Sequence, residues 1–389
     1  MSLTMSLRGW NIKVKTKNIF DINNEIKKIQ KEQDAIHKSL SERRIASITE
    51  HEFLNRNVFF SYMNWAMFII ISGARDYGKS FFIMDYLLQR FFKHGECNNF
   101  WFRLTPTATE KLLKDNGKKL IDVLLIKKYN LYDKKDENGV VIQKAIKRKG
   151  DDIYIFGKKF CTVLPVSTFY NNKGESLFDA TILTGARIVF DEFQREQSEK
   201  NAFDICYCFV NQLENVARDN PNTKVWLLGN TLSEVSDILT MFNFIPHDFG
   251  IYKIKKKKAV IFNLPNSEKY IARRQNSPAQ LLLPEASTFT NKIENLVGLI
   301  SKETLRKPNY VIVFSPTEKY TLWNGRVIKR YNKEKVPFIP MKPFISDYVY
   351  IKKNVDMILL RSQQRTFLFT DLITQKKFDN QIQLLKNIK

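Results

Sequence analysis

A loop bounded by two glycines is the first group of residues whose types and spacing suggest chemistry. Residues 73–80 read Gly-Ala-Arg-Asp-Tyr-Gly-Lys-Ser, which fits the pattern G-x-x-x-x-G-K-[S/T]. Gly73 and Gly78 let the backbone curl so that its N–H groups point at phosphate oxygens. Lys79 is expected to reach the β and γ phosphates of ATP, and the Ser80 hydroxyl to bind Mg²⁺. The predicted nucleotide-binding residues of this P-loop are Gly73, Ala74, Arg75, Asp76, Tyr77, Gly78, Lys79, Ser80 and Phe81.

Two adjacent carboxylates form the second group. Asp191 and Glu192 follow Ile188-Val189-Phe190, a run typical of a buried strand. Downstream of a P-loop this is a Walker B pattern, in which Asp191 holds Mg²⁺, mostly through water, and Glu192 polarises the attacking water. Because the faces of a strand alternate, the two carboxylates point in different directions, as their two roles require. The consecutive Asp-Glu pair indicates the additional-strand catalytic-glutamate (ASCE) class of P-loop ATPases.

A polar amide ends a further predicted strand. The strand covers Lys224 to Leu228 and is closed by Gly229-Asn230-Thr231. Asn230 is the candidate for contacting the γ-phosphate, because ATPases of this kind place a polar side chain at that strand end. The alternative is a residue that only terminates the strand in a turn.

The elements that must position these residues alternate between strand and helix from about residue 55 to 250. This alternation is the pattern of an α/β fold with a mostly parallel sheet. A strand is expected over 67–71 before the loop and a helix over 81–92 after it. The remaining predictions are a strand over 100–103, a helix over 112–130, a basic loop or hairpin over 133–150, a hairpin over 152–164 and a helix over 203–216.

Four segments are expected. Residues 1–55 form a basic extension with a helix whose apolar seam includes Ile22, Ile29 and Leu40. This helix is expected either to dock on a partner or to pack on the ATPase domain of its own chain. Residues 56–250 form the P-loop ATPase domain, and 251–262, with the run Lys255–Lys258, a basic linker. Residues 263–389 form a small α+β domain. It is expected to hold an Asn324-Gly325 hairpin, strands over 349–351 and 366–369, and a terminal helix over 378–388.

Composition restricts the function classes. The chain has 389 residues, 43% of them hydrophobic, and a net charge of +23, which favours a nucleic-acid partner. Its 4 cysteines and 4 histidines form no C-x-x-C or H-E-x-x-H pattern, which disfavours a zinc site or a disulfide framework. The longest apolar run is too short to span a bilayer, and no signal-peptide pattern is present, so we expect a cytoplasmic location and no membrane partner.

With these motifs in view, the chain resembles the DNA-packaging ATPases (encapsidation proteins, terminase-like motors) of small podophages with short, linear, protein-capped genomes. The resemblance is clearest over residues 62–245 and rests on 73–80, 86–96, Val189–Phe193 with Arg195-Glu196, and Leu228-Gly229-Asn230. It implies a ring, expected to be pentameric, that docks on the portal of an empty capsid in the host cytoplasm and pumps double-stranded DNA inward. A structural packaging RNA is a further partner that the resemblance allows.

The resemblance also implies roles for arginines and for the C-terminal region. Arg218 lies where the family places an arginine that reaches the γ-phosphate of the neighbouring subunit; Arg195 is the runner-up, and Arg75 could act in cis. Larger relatives carry an RNase H-like nuclease domain, which needs clustered carboxylates around metal ions. Because Asp347, Asp356 and Asp371 form no recognisable cluster, the C-terminal domain is interpreted as a vestigial nuclease fold.

Other functions remain open. One is a helicase or cellular DNA pump on the same sheet, and the other is a DNA-binding protein whose P-loop only binds nucleotide. Glu192 disfavours the second, because binding alone needs no carboxylate that activates water. The run Lys144–Lys149 is a candidate for contacts with DNA phosphates, with a solvent-facing or portal-facing surface as the alternative.

Overall fold

The computed structural model describes residues 2–7, 10–15, 64–73, 77–173, 177–179, 185–194, 203–218, 220–230, 236–245, 249–266, 268–282, 299–343, 345 and 348–386. Near the N-terminus, β1 (Ser2–Leu7) and β2 (Trp10–Lys15) form an antiparallel hairpin, which the sequence did not predict. The predicted helix with the seam from Ile22 to Leu40 lies outside the described residues.

A nine-stranded sheet organises the region between residues 64 and 266, and six of its strands run parallel to one another. These six are β3 (Phe68–Gly73), β4 (Asn99–Arg103), β9 (Lys158–Pro165), β10 (Arg187–Asp191), β11 (Lys224–Asn230) and β13 (Ala259–Asn263). The others are β7 (Ile146–Lys149), β8 (Asp152–Ile155) and β12 (Gly250–Ile254), and the order is β12-β13-β3-β11-β10-β4-β9-β8-β7. The mixed α/β class with a large, mostly parallel sheet is therefore confirmed.

Helices cover both faces of this sheet, which is why its central strands β3, β10, β11 and β13 are apolar in their middle residues. Successive side chains of β3 alternate between two cores: Ile69 and Ile71 belong to one, and Ile70 belongs to the other. Each of these three residues is fully buried, which contributes roughly 1.5–3 kcal/mol per side chain. The helices are α1 (Lys79–His94), α2 (Pro106–Leu113), α3 (Val123–Lys128), α4 (Ile205–Ala217) and α5 (Asp237–Met241).

The prediction of one helix over 112–130 was wrong. The chain instead forms α2, a 3₁₀ segment over Asp115–Leu120, and α3. Asn116 and Gly117 interrupt the helix with φ values of 59° and 85°. A Cβ on Gly117 would lie 2.2 Å from Ile153 Cδ1, so the close approach of the loop to β8 requires glycine there.

The basic segment over 133–150 contains the predicted hairpin, formed by β5 (Lys134–Lys135) and β6 (Val141–Gln143). Its last part differs from the prediction, since β7 is an edge strand of the main sheet.

The linker predicted over 251–262 was also wrong. This segment is the antiparallel pair β12 and β13, and β13 pairs with β3 in parallel. Val260, Ile261 and Phe262 are fully buried, whereas the four lysines occupy the exposed 3₁₀ turn between the two strands. The change in composition at Lys255 therefore marks a turn within the sheet.

Two short helices follow the sheet, α6 (Glu268–Arg274) and α7 (Pro278–Leu282). The C-terminal region then forms a second, five-stranded sheet in the order β17-β14-β15-β16-β18. Its elements are β14 (Pro308–Val313), β15 (Lys319–Trp323), β16 (Val327–Arg330), β17 (Phe338–Pro340), β18 (Leu368–Phe369), α8 (Lys352–Gln363) and α9 (Leu372–Lys386).

The predicted α+β arrangement of this region is confirmed, including the Asn324-Gly325 hairpin and the terminal helix. Phe378 of α9 is fully buried and contacts the rings of Phe314, Tyr320, Phe367 and Phe369. The strand predicted over 349–351 is absent: these residues lead into α8, and Val349 is 79% exposed. The two regions touch where Asp237 of α5 meets Lys376 of α9, at 3.7 Å, and Asn380.

Candidate functional site

Three adjacent parallel strands bring the candidate residues together at one edge of the large sheet. β11 lies between β3 and β10, and Asn230 is the parallel partner of Gly73. Asp191, the last residue of β10, is the partner of Leu228. Residues far apart in sequence therefore meet where these strands end, which is the usual position of ligand sites in open α/β sheets. We call the edge of the sheet that carries Gly73, Asp191 and Asn230 the strand-end edge.

Lys79 lies at the centre of this arrangement. Gly78, with φ 76° and ψ 14°, precedes α1 in the left-handed conformation that glycine adopts most readily. The Lys79 side chain is buried, and its Nζ donates to the carbonyl oxygen of Gly73 at 3.0 Å and to Asn230 Oδ1 at 3.3 Å. The ammonium group thus joins the end of β3 to the end of β11.

Ser80 and Asp191 form a second contact across the site. Ser80 Oγ donates to Asp191 Oδ1 at 2.9 Å. Burial raises the pKa of the Asp191 carboxyl above its usual range, while the charge of Arg103 partly opposes this rise. A carboxylate buried beside a hydroxyl is a donor set that suits a small divalent cation.

Arg103 is a site residue that the sequence reasoning missed. It ends β4, the strand on the other side of β10, and its side chain is only 16% exposed. Its guanidinium pairs with Glu192 Oε2 through Nη2, and its Nη1 lies 3.5 Å from Asp191 Oδ2. The available signal was its position at the end of a predicted parallel strand, because the ends of such strands share one edge.

The direction of Glu192 is set by the residue that follows it. Glu192 has a φ of 53°, which lies in the left-handed region that residues other than glycine seldom adopt. The Phe193 N–H donates to the Leu228 carbonyl oxygen at 3.3 Å, and the buried Phe193 ring packs on Gly229 of β11. A Cβ on Gly229 would lie 2.7 Å from Phe193 Cε1, so the absence of a side chain at Gly229 permits this packing.

Other predicted residues have different surroundings. Ala74, Arg75, Asp76 and Arg195 lie outside the described residues. Tyr77 is buried in the core beneath Gly73, and burial raises the pKa of its phenol to about 12. Phe81 is 36% exposed at the start of α1, beside Ser80.

Arg218 is not brought to the strand-end edge. It follows α4 with a φ of 46° and lies by Met67 and Phe68, where β3 begins. The strand β3 separates it from the loop, and the five steps from Phe68 to Gly73 span about 17 Å at about 3.3 Å per step. No side chain spans that distance, so Arg218 cannot reach the Lys79 site of its own chain.

Among the described residues, no three His, Cys, Asp or Glu side chains group as a metal site would require. Asp356 and Asp371 are described, whereas Asp347 is not. None of the described helices has the length and apolar character needed to span a membrane.

The chain was compared with known protein families. The family model described as Podovirus DNA encapsidation protein (Gp16) matches residues 49–287. That range is more than half of the chain, and the chain belongs to this family.

Individual relatives agree with this assignment. The DNA packaging protein of Bacillus phage phi29 is 24% identical over 231 residues, 58% of this chain and 60% of the relative. That of Bacillus phage B103 is 25% identical over 214 residues, 53% of this chain and 57% of the relative. The chain thus spans about 60% of the length of the curated relatives it matches.

Two solved structures share the fold over most of the chain. The Phi-28 gp11 DNA packaging motor has a TM-score of 0.62 at 16% identity, covering 86% of this chain and 98% of that chain. The bacteriophage Phi-29 viral genome packaging motor assembly has a TM-score of 0.57 at 18% identity, covering 85% of this chain and 100% of that chain.

Proposed function

We propose that this chain is an ATPase that drives double-stranded DNA into an empty phage capsid. The observation that carries the proposal is the meeting of Lys79, Ser80, Asp191, Glu192 and Asn230 at one sheet edge, in a member of a family of encapsidation proteins. The position of β11 between β3 and β10 supports the ASCE class. In that class the strand of the sensing amide separates the Walker A and Walker B strands.

The contacts of the described residues suggest their roles in hydrolysis. When ATP binds, Lys79 Nζ turns from a protein acceptor to oxygens of the β and γ phosphates. Asn230, which accepts from Lys79 in this structure, then lies beside the γ-phosphate. The N–H groups of the loop and the start of α1 add positive potential there. Glu192 accepts a proton from the attacking water, and Arg103 holds its carboxylate in position.

The donor set also fits Mg²⁺. Ser80 Oγ and Asp191 Oδ1 are hard oxygen ligands that already lie 2.9 Å apart. These two residues would hold the ion, directly or through water, and a bound Mg²⁺ would neutralise charge on the phosphates.

Arg218 is proposed to act on the neighbouring subunit in a ring, with five subunits as the expected number. Its distance from its own Lys79 supports action in trans and disfavours action in cis. Arg195 and Arg75 remain the alternative arginines. The Arg218→Ala variant is expected to lose ATP turnover. Recovery of turnover when it is mixed with Glu192→Gln subunits would support this assignment, and no recovery at any mixing ratio would contradict it.

The remaining parts of the proposal concern partners. The net charge of +23 suits a phosphate backbone that is gripped without sequence preference, and Lys144–Lys149 remain candidates for that contact. The C-terminal sheet with α8 and α9 is proposed to be a vestigial nuclease-like domain that contacts DNA, the portal or a packaging RNA. The ring would work in the host cytoplasm while docked on a capsid.

The test is the steady-state ATPase rate with and without duplex DNA and with and without empty capsids. Stimulation by both, abolished in Glu192→Gln and retained in Glu137→Gln, is expected. Glu137 is a matched control, because it is an exposed carboxylate on the β5–β6 hairpin. Stimulation by single strands alone, with indifference to capsids, would indicate a helicase and contradict the proposal.

A further inference from the structure

Asp237 joins the region of the large sheet to the C-terminal region, and the proposed chemistry does not use it. It is the first residue of α5, and Ser236 Oγ caps that helix by accepting from the Leu239 N–H at 3.1 Å. The Asp237 carboxylate faces α9: Asn380 Nδ2 donates to its Oδ1, and Lys376 Nζ lies 3.7 Å from the same oxygen. The side chain is only 11% exposed. This carboxylate therefore holds the contact between the two regions.

The contact lies towards the strand-end edge. Cys206, near the start of α4, donates through its thiol to the Asp237 carbonyl oxygen at 3.1 Å. A short turn connects the end of α4 to the start of β11, so the helix and the strand run in opposite directions, and each is about 20 Å long. The start of α4 therefore lies near the end of β11, where Asn230 is. Only six residues of sequence separate Asn230 from Asp237.

A buried core connects α5 with the strands that carry the candidate catalytic groups. Ile238 is fully buried in the core that also contains Phe190 and Phe193, the residues on either side of the Asp191-Glu192 pair. Protein interiors are close-packed and transmit displacement instead of absorbing it. We therefore expect α5 to move together with the ends of β10 and β11.

The α9 side of the contact is basic and is anchored in the second core. Lys376 lies two residues before Phe378, which is fully buried in the C-terminal region. Burial lowers the pKa of the neighbouring Lys377, and the charge of Arg330 lowers it further, although Glu318 partly opposes this. Without the carboxylate of α5, these cations would repel one another across the contact. Its charge therefore keeps α9 against α5.

We propose that Asp237 is a coupling residue, which transmits the state of the nucleotide site to the C-terminal region. This inference rests on the proposed function for the identity of the site. When phosphate oxygens replace Asn230 as the partner of Lys79, the end of β11 shifts, and α5 shifts with it. The bonds of Asp237 to Lys376 and Asn380 then carry the displacement to α9. Their geometry differs between the two states, which is the differential contact that coupling between two sites requires.

The first experiment follows hydrogen–deuterium exchange of α9 in the full chain, with and without a non-hydrolysable ATP analogue. In the wild type, the analogue is expected to change the exchange rate of α9 amides at least threefold. In Asp237→Asn, which keeps the shape of the side chain and removes its charge, this response should vanish while the analogue Kd stays within about threefold. No response in the wild type, or an equal response in Asp237→Asn, would overturn the proposal.

Two comparisons separate coupling from a general loss of structure. Asp115→Asn is the matched control, because Asp115 is an exposed carboxylate in an ion pair with Lys119, and it should respond as the wild type does. The double variant Lys376→Gln/Asn380→Ala breaks the contact from the α9 side and leaves α5 unchanged, so it should lose the response as Asp237→Asn does. A full response in this double variant, with a native circular dichroism spectrum, would overturn the proposal.

The second experiment compares ATP turnover with the amount of DNA that becomes nuclease-resistant inside empty capsids. Asp237→Asn should keep ATP turnover within about threefold of wild type, since Lys79, Ser80 and Glu192 are unchanged. It should protect at least tenfold less DNA per ATP hydrolysed, and wild-type protection per ATP would overturn the proposal. If the wild-type chain hydrolyses no ATP, the proposed function fails, whereas the exchange measurement still decides whether α9 responds to nucleotide through Asp237.

Discussion

Replacing Gly229 by alanine should disturb catalysis without touching a catalytic group. An added Cβ would lie 2.7 Å from Phe193 Cε1 and 2.9 Å from Phe193 Cζ. Carbon atoms pack at about 3.5–4.0 Å, so the ring or β11 must move by roughly 0.8 Å. Phe193 is 1% exposed and follows Glu192 directly, so the displacement passes to the carboxylate that is proposed to activate water.

The size of the effect follows from this geometry. Overpacking a core costs about 1–3 kcal/mol, which corresponds to a fall in Tm of several degrees. A displacement near 1 Å at a catalytic group can reduce kcat by about a hundredfold. Nucleotide affinity should change much less, because Lys79 and Ser80 are positioned by α1.

The assay combines kcat, nucleotide Kd and Tm for Gly229→Ala, with two comparisons. The double variant Gly229→Ala/Phe193→Leu lacks the two nearest ring atoms and should recover at least tenfold in kcat over the single variant. Gly73→Ala is the control for Tm alone, because its Cβ would meet Leu264 at an ordinary 3.5 Å, whereas Gly73 itself belongs to the predicted nucleotide-binding loop. Wild-type kcat in Gly229→Ala, or no recovery in the double variant, would refute this account of how Glu192 is positioned.

Three further outcomes follow from the contacts at the site. Arg103→Gln removes a charged partner from Asp191 and Glu192, so kcat should fall about ten- to a hundredfold in turnover assays. A loss of nucleotide affinity as large as the loss in kcat would contradict a positioning role. Asn230→Ala deprives Lys79 of its 3.3 Å partner and should lower kcat more than nucleotide affinity; unchanged kcat would refute a role beside the γ-phosphate. If phosphates provide the grip, the logarithm of the apparent DNA affinity, taken from the DNA dependence of turnover, should fall linearly with the logarithm of the salt concentration, and an affinity independent of salt would contradict this.

The sequence was sufficient to predict the parts that depend on local pattern. The apolar run before the loop, the glycine spacing and the strand ending at Asp191 are each read from neighbouring residues, and β3, α1 and β10 are found there. The Asn324-Gly325 hairpin has the same local origin.

The misses depend on contacts between distant residues. Arg103 joins the site only because β4 pairs with β10, where Arg187, the partner of Asn99, comes 88 residues later in the chain. Such a pairing is not encoded in the local sequence. The lysine turn indicated a linker because charge alone does not reveal that Val260–Phe262 add a strand to the sheet. The break near Gly117 reflects its contact with Ile153, which helical periodicity does not include.

Protection of DNA from nuclease inside empty phage capsids that carry their portal tests the central claim most directly. With ATP, the wild-type chain should make added duplex DNA resistant to nuclease, while Glu192→Gln should protect none and Glu137→Gln should protect as much as wild type. Rapid ATP turnover that yields no protected DNA, or protection that needs no ATP, would contradict the assignment of this chain as the packaging ATPase.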